Sequence, residues 1–72
     1  MIEVKSPISG TVWQVLVSVG QTVGEEEDLL ILESMKMEIP VAAPEAGTVV
    51  EILAEPNQPV AEGQVLVRLQ IV

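Results

Sequence analysis

The chain has 72 residues, which is one domain with no room for a second. Its 11 acidic and 3 basic residues leave a net charge of −8, a balance that repels nucleic acid and anionic membranes. With no Cys and no His there is neither a disulfide framework nor a zinc site, so stability has to come from packing. The material for packing is present. Hydrophobic residues make up 49% of the chain, with Val, Leu and Ile dominant and Trp13 the single aromatic residue. Enrichment in β-branched side chains favours strands over helices.

Met1-Ile2-Glu3-Val4-Lys5 lacks the basic start and long apolar run of a signal peptide. No apolar run approaches the roughly 18–20 residues that span a bilayer. The expected location is therefore the cytoplasm. In chain order, Gly10–Val17 reads as a strand. Its alternation fails where Val15, Leu16 and Val17 follow one another, so it carries a bulge or is buried on both faces. Val19-Gly20-Gln21-Thr22 reads as a turn, and Asp28–Leu32 as a second strand. The acidic run Glu25-Glu26-Glu27-Asp28 between them lacks the spaced ligands of a calcium loop. Ser34 to Ile39 begins a link, after which Gly47–Leu53 and Val65–Leu69 are strands, with Pro56-Asn57-Gln58-Pro59 turning between them. Helix is disfavoured because turn residues cut every apolar stretch before it reaches about 10 residues.

The second half repeats the first. Ser6–Glu33 aligns with Ala43–Gln70 without a gap at a constant offset of 37, and 10 of the 28 aligned positions are identical. Pro7/Pro44 and Gly10/Gly47 are among them, and such residues punctuate backbone geometry. Two similar β units imply two sheets packed face to face about a pseudo-twofold axis. Lys36 stands where the pattern of the first half stops, so it is expected to project from a hairpin at the join, remote from Met1 and Val72. Trp13, aligned with Val50, is expected to serve packing, and Lys5 to solvate the surface. Glu26 stands where the second half has Gly63, and Asn57 where the first has Gly20. Asn tolerates left-handed geometry and Glu does so poorly, so Gly24 is expected to take over the first-half turn.

Glu33-Ser34-Met35-Lys36-Met37-Glu38 breaks local rules. A two-residue hairpin favours pairs such as Asn-Gly, because it needs positive φ, yet here the tip would be Met35-Lys36. Departures of this kind mark functional or strained sites. Taken alone, an exposed Lys is a solvating charge, and Met residues more often fill cores. Nothing beside Lys36 in the sequence would activate its amine as a nucleophile, since its neighbours Glu33 and Glu38 are acidic, so Lys36 is not expected to act as a catalytic amine. The chain also has no His, Cys or Tyr to supply the usual nucleophile and acid–base set, so no catalytic residue is assigned and the chain is not read as an enzyme.

Met35-Lys36-Met37 inside that hexapeptide resembles the biotinylation motif, and the resemblance extends over nearly the whole chain. Ser6-Pro7-Ile8-Ser9-Gly10, Ala43-Pro44-Glu45-Ala46-Gly47 and Val60-Ala61-Glu62-Gly63-Gln64-Val65-Leu66 carry it on either side. The chain is similar to the biotinyl domains of the biotin/lipoyl attachment family. That resemblance implies an all-β fold over residues 1–72, a flattened barrel or sandwich of two four-stranded antiparallel sheets, with the target lysine at a hairpin tip. It implies that biotin protein ligase attaches biotin to Lys36 through biotinyl-adenylate. It further implies partnership with a biotin carboxylase and a carboxyltransferase, between which a carboxyl group is shuttled. Met35 and Met37 would serve recognition by these enzymes; lipoyl domains of the same fold have Asp before the lysine and Ala after it. A lipoyl-type acyl carrier and a plain interaction module are the alternatives. The thumb loop of some acetyl-CoA carboxylase carriers has no place here, because Gly10–Gly20 aligns without a gap with Gly47–Asn57.

Overall fold

The structure, a computed structural model, describes residues 1–71. Eight strands follow in chain order: β1 (Ile2–Lys5), β2 (Gly10–Val15), β3 (Thr22–Val23), β4 (Asp28–Ser34), β5 (Met37–Ala42), β6 (Gly47–Ile52), β7 (Pro59–Val60) and β8 (Val65–Ile71). They form two four-stranded antiparallel sheets, ordered β1-β8-β6-β3 and β5-β4-β2-β7. No ladder joins the sheets among the described residues, so the fold is a sandwich with open edges and not a closed barrel. The body is elongated, 35 × 17 × 16 Å. No helix in it is long and apolar enough to cross a membrane.

The duplication governs the pairing in detail, and each sheet draws strands from both halves. Leu32 pairs with Ile39, and the same pairing returns 37 residues away as Leu69 with Ile2. β1 and β5 are thus equivalent strands, and the link expected at Ser34–Ile39 is the hairpin joining β4 to β5. The ambiguity in the first strand resolves as a bulge. The pairing steps from Val12–Leu32 to Gln14–Ile31 and leaves Trp13 unpaired, as it steps from Val49–Leu69 to Glu51–Arg68 and leaves Val50 unpaired. A bulge turns a strand and sharpens its twist without ending the ladder. It also puts Trp13 at the surface, 47% exposed, which overturns the expectation that it serves packing.

The buried residues come in matched pairs: Val4 with Val41, Val12 with Val49, Val23 with Val60, Leu29 with Leu66, Leu30 with Val67 and Leu32 with Leu69. Burying an aliphatic side chain of this size contributes about 1.5–3 kcal/mol, so this layer supplies the main drive to fold. Ser6, the buried polar residue, is matched by Ala43 and donates its hydroxyl to the Ile8 carbonyl at 2.6 Å.

The turns repeat as well, and they correct the expectation for Gly24. Glu26 itself takes the left-handed conformation, φ 64°, where Gly63 has φ 85°. Hydrogen bonds hold it there. Glu26 N donates to the Ala43 carbonyl at 2.7 Å, as Gly63 N does to Ser6 at 2.8 Å. The Glu27 carboxylate accepts from Gly24 N at 3.0 Å, as the Gln64 amide oxygen does from Ala61 N at 3.1 Å. Bonds that satisfy several backbone groups outweigh one residue's reluctance. Asn57, at φ 70°, stands in for Gly20 as its side chain allows.

Candidate functional site

The β4–β5 ladder ends at the pair Ser34–Met37, leaving Met35 and Lys36 as the two turn residues. Their φ values are 53° and 64°, so both central residues are left-handed, the requirement of a type I′ turn. Neither is Gly, Asn or Asp, and each costs on the order of 1–2 kcal/mol in that conformation. The ladder beneath compensates. Leu32 opposite Ile39 and Leu30 opposite Val41 anchor the hairpin in the core, and the turn's twist matches that of the strands.

The base of the hairpin is fixed to the rest of the domain. Ser34 Oγ donates to the Ser9 carbonyl at 3.1 Å, and Ser9 Oγ accepts from Glu62 N at 3.1 Å. Gly10 allows β2 to lie this close. A Cβ on it would meet the Glu33 carbonyl oxygen at 2.6 Å, and Gly47 has the same relation to Gln70. The tip is therefore a rigidly mounted turn, its side chains free and its backbone held.

All three residues singled out from the sequence meet at this tip. Lys36 is exposed, Met35 is 87% exposed and Met37 62%. No carboxylate pairs with Lys36 among the described residues. Arg68, by contrast, bridges Glu51 and Glu3 on the outer face of the other sheet, and those hydrogen bonds, Glu51's first, raise its pKa. Val72 lies outside the described residues. No cavity opens beside the tip and no metal-binding cluster is present among the described residues. An exposed primary amine on a protruding, fixed turn fits a group joined by an amide, since such a group needs no pocket on this chain.

The sequence reading missed one feature of the site. Glu33 and Glu38 stand directly opposite each other one step below the turn, both exposed. Like charges facing across a ladder destabilise it. The counting that locates them was available: Ile2/Ile39 and Val4/Val41 share the offset of 37, which makes residues 37–42 a strand and sets the register.

Residues 2–69 match the biotin_lipoyl family model, described as biotin-requiring enzyme. The biotin carboxyl carrier protein of Streptococcus mutans is 53% identical over 38 residues, 53% of this chain and 29% of that protein. The biotin/lipoyl attachment protein of Bacillus subtilis is 39% identical over 62 residues, 86% of this chain and 85% of that protein. Among solved structures, urea carboxylase of Kluyveromyces lactis matches with a TM-score of 0.91 and 28% identity, over 96% of this chain and 6% of that one. The chain thus spans under a third of the Streptococcus protein and a small fraction of the carboxylase. Together with the two-sheet sandwich and its lysine hairpin, these matches show that the chain belongs to the biotin/lipoyl attachment family, as a biotinyl domain whose group is covalently bound biotin.

Proposed function

We propose that Lys36 carries the biotin and that the domain is a carboxyl carrier. In this reading it moves a carboxyl group from a biotin carboxylase to a carboxyltransferase within a biotin-dependent carboxylase. The observation that carries the reading is the tip itself. Lys36 is exposed, unpaired among the described residues, and central to a strained turn between two exposed methionines. Lys5 and Arg68, the other basic residues, stand on β1 and β8 without such a mount.

Attachment by biotin protein ligase would proceed on Lys36 Nζ. The deprotonated amine attacks the acyl carbon of biotinyl-adenylate and forms the C–N bond. The C–O bond to phosphate breaks, AMP leaves with that electron pair, and the nitrogen's surplus proton passes to the ligase or solvent. Lys36 contributes the nucleophile and the turn presents it; deprotonation falls to the ligase. Met35 and Met37 offer adaptable apolar contacts on either side. When bound, biotin supplies a ureido ring that accepts a carboxyl group and releases it to an acceptor. The chain's own part is then position: a fixed turn limits where the arm is rooted, and tethering raises its concentration at each active site. In this reading the attachment chemistry draws on ATP, which is compatible with the cytoplasmic location expected from the sequence.

The test is carboxylation of the loaded domain. After co-expression with biotin protein ligase, incubation with a biotin carboxylase, Mg-ATP and labelled bicarbonate should place label on the wild-type domain and none on Lys36→Arg. Biotin on the domain without any transfer of label would defeat the carrier reading and leave the attachment site standing.

A further inference from the structure

The two sheets present different outer faces at equivalent places. On the β1-β8-β6-β3 sheet the row Glu3–Arg68–Glu51 is a closed set of ion pairs. The row 37 residues away on the other sheet is Pro40–Ile31–Gln14, with Trp13 bulged out beside Gln14. No charge stands in it. Trp13 is 47% exposed, and the next row toward the tip holds Glu33 and Glu38, which have no ion-pair partner among the described residues. One face is internally satisfied. The other combines an exposed aromatic, apolar neighbours and two carboxylates that repel one another, and it runs without a break into the Lys36 hairpin.

We propose that this outer face of β2, β4 and β5 is the surface on which biotin protein ligase seats the domain while it acylates Lys36. The proposal rests on the reading of Lys36 as the attachment residue. Reach selects the ligase over the later partners. An unmodified lysine extends only the length of its own side chain, so the acylating enzyme must lie against the hairpin; the loaded arm reaches its later active sites from farther away. Area selects the face. A specific interface covers about 800 Å² on each partner, far more than two turn residues offer, and the surface continuous with the turn on its own sheet is this one. Chemistry describes what the ligase must present: an apolar patch for Trp13 and Ile31, and basic groups opposite Glu33 and Glu38. A buried aromatic anchor beside complementary charge is how such interfaces gain both affinity and steering. Glu33 facing Glu38 costs the free domain stability, and that cost turns into attraction when cations are placed over the pair.

The duplication supplies the control. Val50 occupies the same bulge on the other sheet, 38% exposed, and shows that the position folds without an aromatic ring. The experiment is steady-state biotinylation of the full chain by a purified bacterial biotin protein ligase with biotin and Mg-ATP, comparing wild type, Trp13→Ser, Trp13→Phe, Val50→Ser and Glu38→Lys. Far-UV circular dichroism and urea midpoints establish that each variant is folded. Trp13→Ser should raise KM about tenfold or more and leave kcat within about twofold, since an anchor lost from a docking surface is a loss of uniform binding. Trp13→Phe should recover most of the affinity, and Val50→Ser should match wild type. Glu38→Lys should raise KM and weaken its dependence on salt. Equal KM for Trp13→Ser and Val50→Ser would overturn the proposal, as would a loss confined to kcat. Self-association of wild type that Trp13→Ser abolishes would assign the face to a second copy of this chain instead. Failure of the attachment reading looks different: wild type would then stay unmodified even at saturating ligase.

Discussion

The first half of the chain buries Val12, Leu29 and Leu32, and the second buries Val49, Leu66 and Leu69 in the same places, while the outer rows read Pro40–Ile31–Gln14 on one sheet and Glu3–Arg68–Glu51 on the other. Interior and exterior have been held to different standards. Close packing leaves little freedom inside, because each core position must match its neighbours in volume and each turn must close the same hydrogen bonds. Outside, the two halves have diverged, and the sheet that carries the Lys36 hairpin lacks the ion-paired row of the other. The symmetric part of this molecule is its scaffold, and the places where the symmetry fails are where function is to be sought.

The sharpest way to break the comparison is to give the tip the residues its geometry prefers. Met35→Asn with Lys36→Gly suits a type I′ turn and should stabilise the domain by about 1–2 kcal/mol, read from urea unfolding. The same double variant should carry no biotin at all after co-expression with ligase. A loss of stability would mean that the tip is not strained as its φ values indicate.

The core gives the largest effect on stability alone. Leu32→Ala and Leu69→Ala each remove a fully buried side chain and should each cost about 2–5 kcal/mol. The duplication predicts that the two costs agree to within about 1 kcal/mol; a larger gap would show that the halves are not energetically equivalent.

Smallest is the turn exchange. Glu26→Gly relieves a left-handed residue worth on the order of 1–2 kcal/mol and adds about 0.5–1 kcal/mol of chain entropy cost, a net gain of up to about 1.5 kcal/mol. Gly63→Glu should lose a similar amount. Opposite shifts in urea midpoint with unchanged slope would confirm that the two turns are equivalent; shifts of the same sign would not fit.

Much of this was legible in the chain. β2, β4, β6 and β8 stand out because each is a run of β-branched and aliphatic residues bounded by turn residues. β1 has only four residues, and β5, as long as β2 and β6, holds Pro40, which is admissible because β5 lies at a sheet edge. β3 and β7 have two residues each, and their existence depends on partners distant in sequence. The alignment of Trp13 with Val50 points to packing; its exposure follows from a bulge whose position only the pairing reveals. Gly24 was given the first-half turn because Glu resists positive φ, a local preference that the hydrogen bonds to Ala43 and Gly24 override. Lys36 was located by the repeat alone, but its chemistry came from the motif around it. A two-residue tip at Met35-Lys36 already sets Glu33 opposite Glu38, so this pair was legible in the hexapeptide once the register below the turn is counted.

The claim at the centre is that Lys36 receives the biotin, and peptide mapping by mass spectrometry after co-expression with biotin protein ligase tests it most directly. The account predicts one biotinyl group per chain, found on the peptide containing Lys36, and none on a folded Lys36→Arg variant. An unmodified wild-type chain, or biotin on Lys5 with Lys36 free, would contradict it.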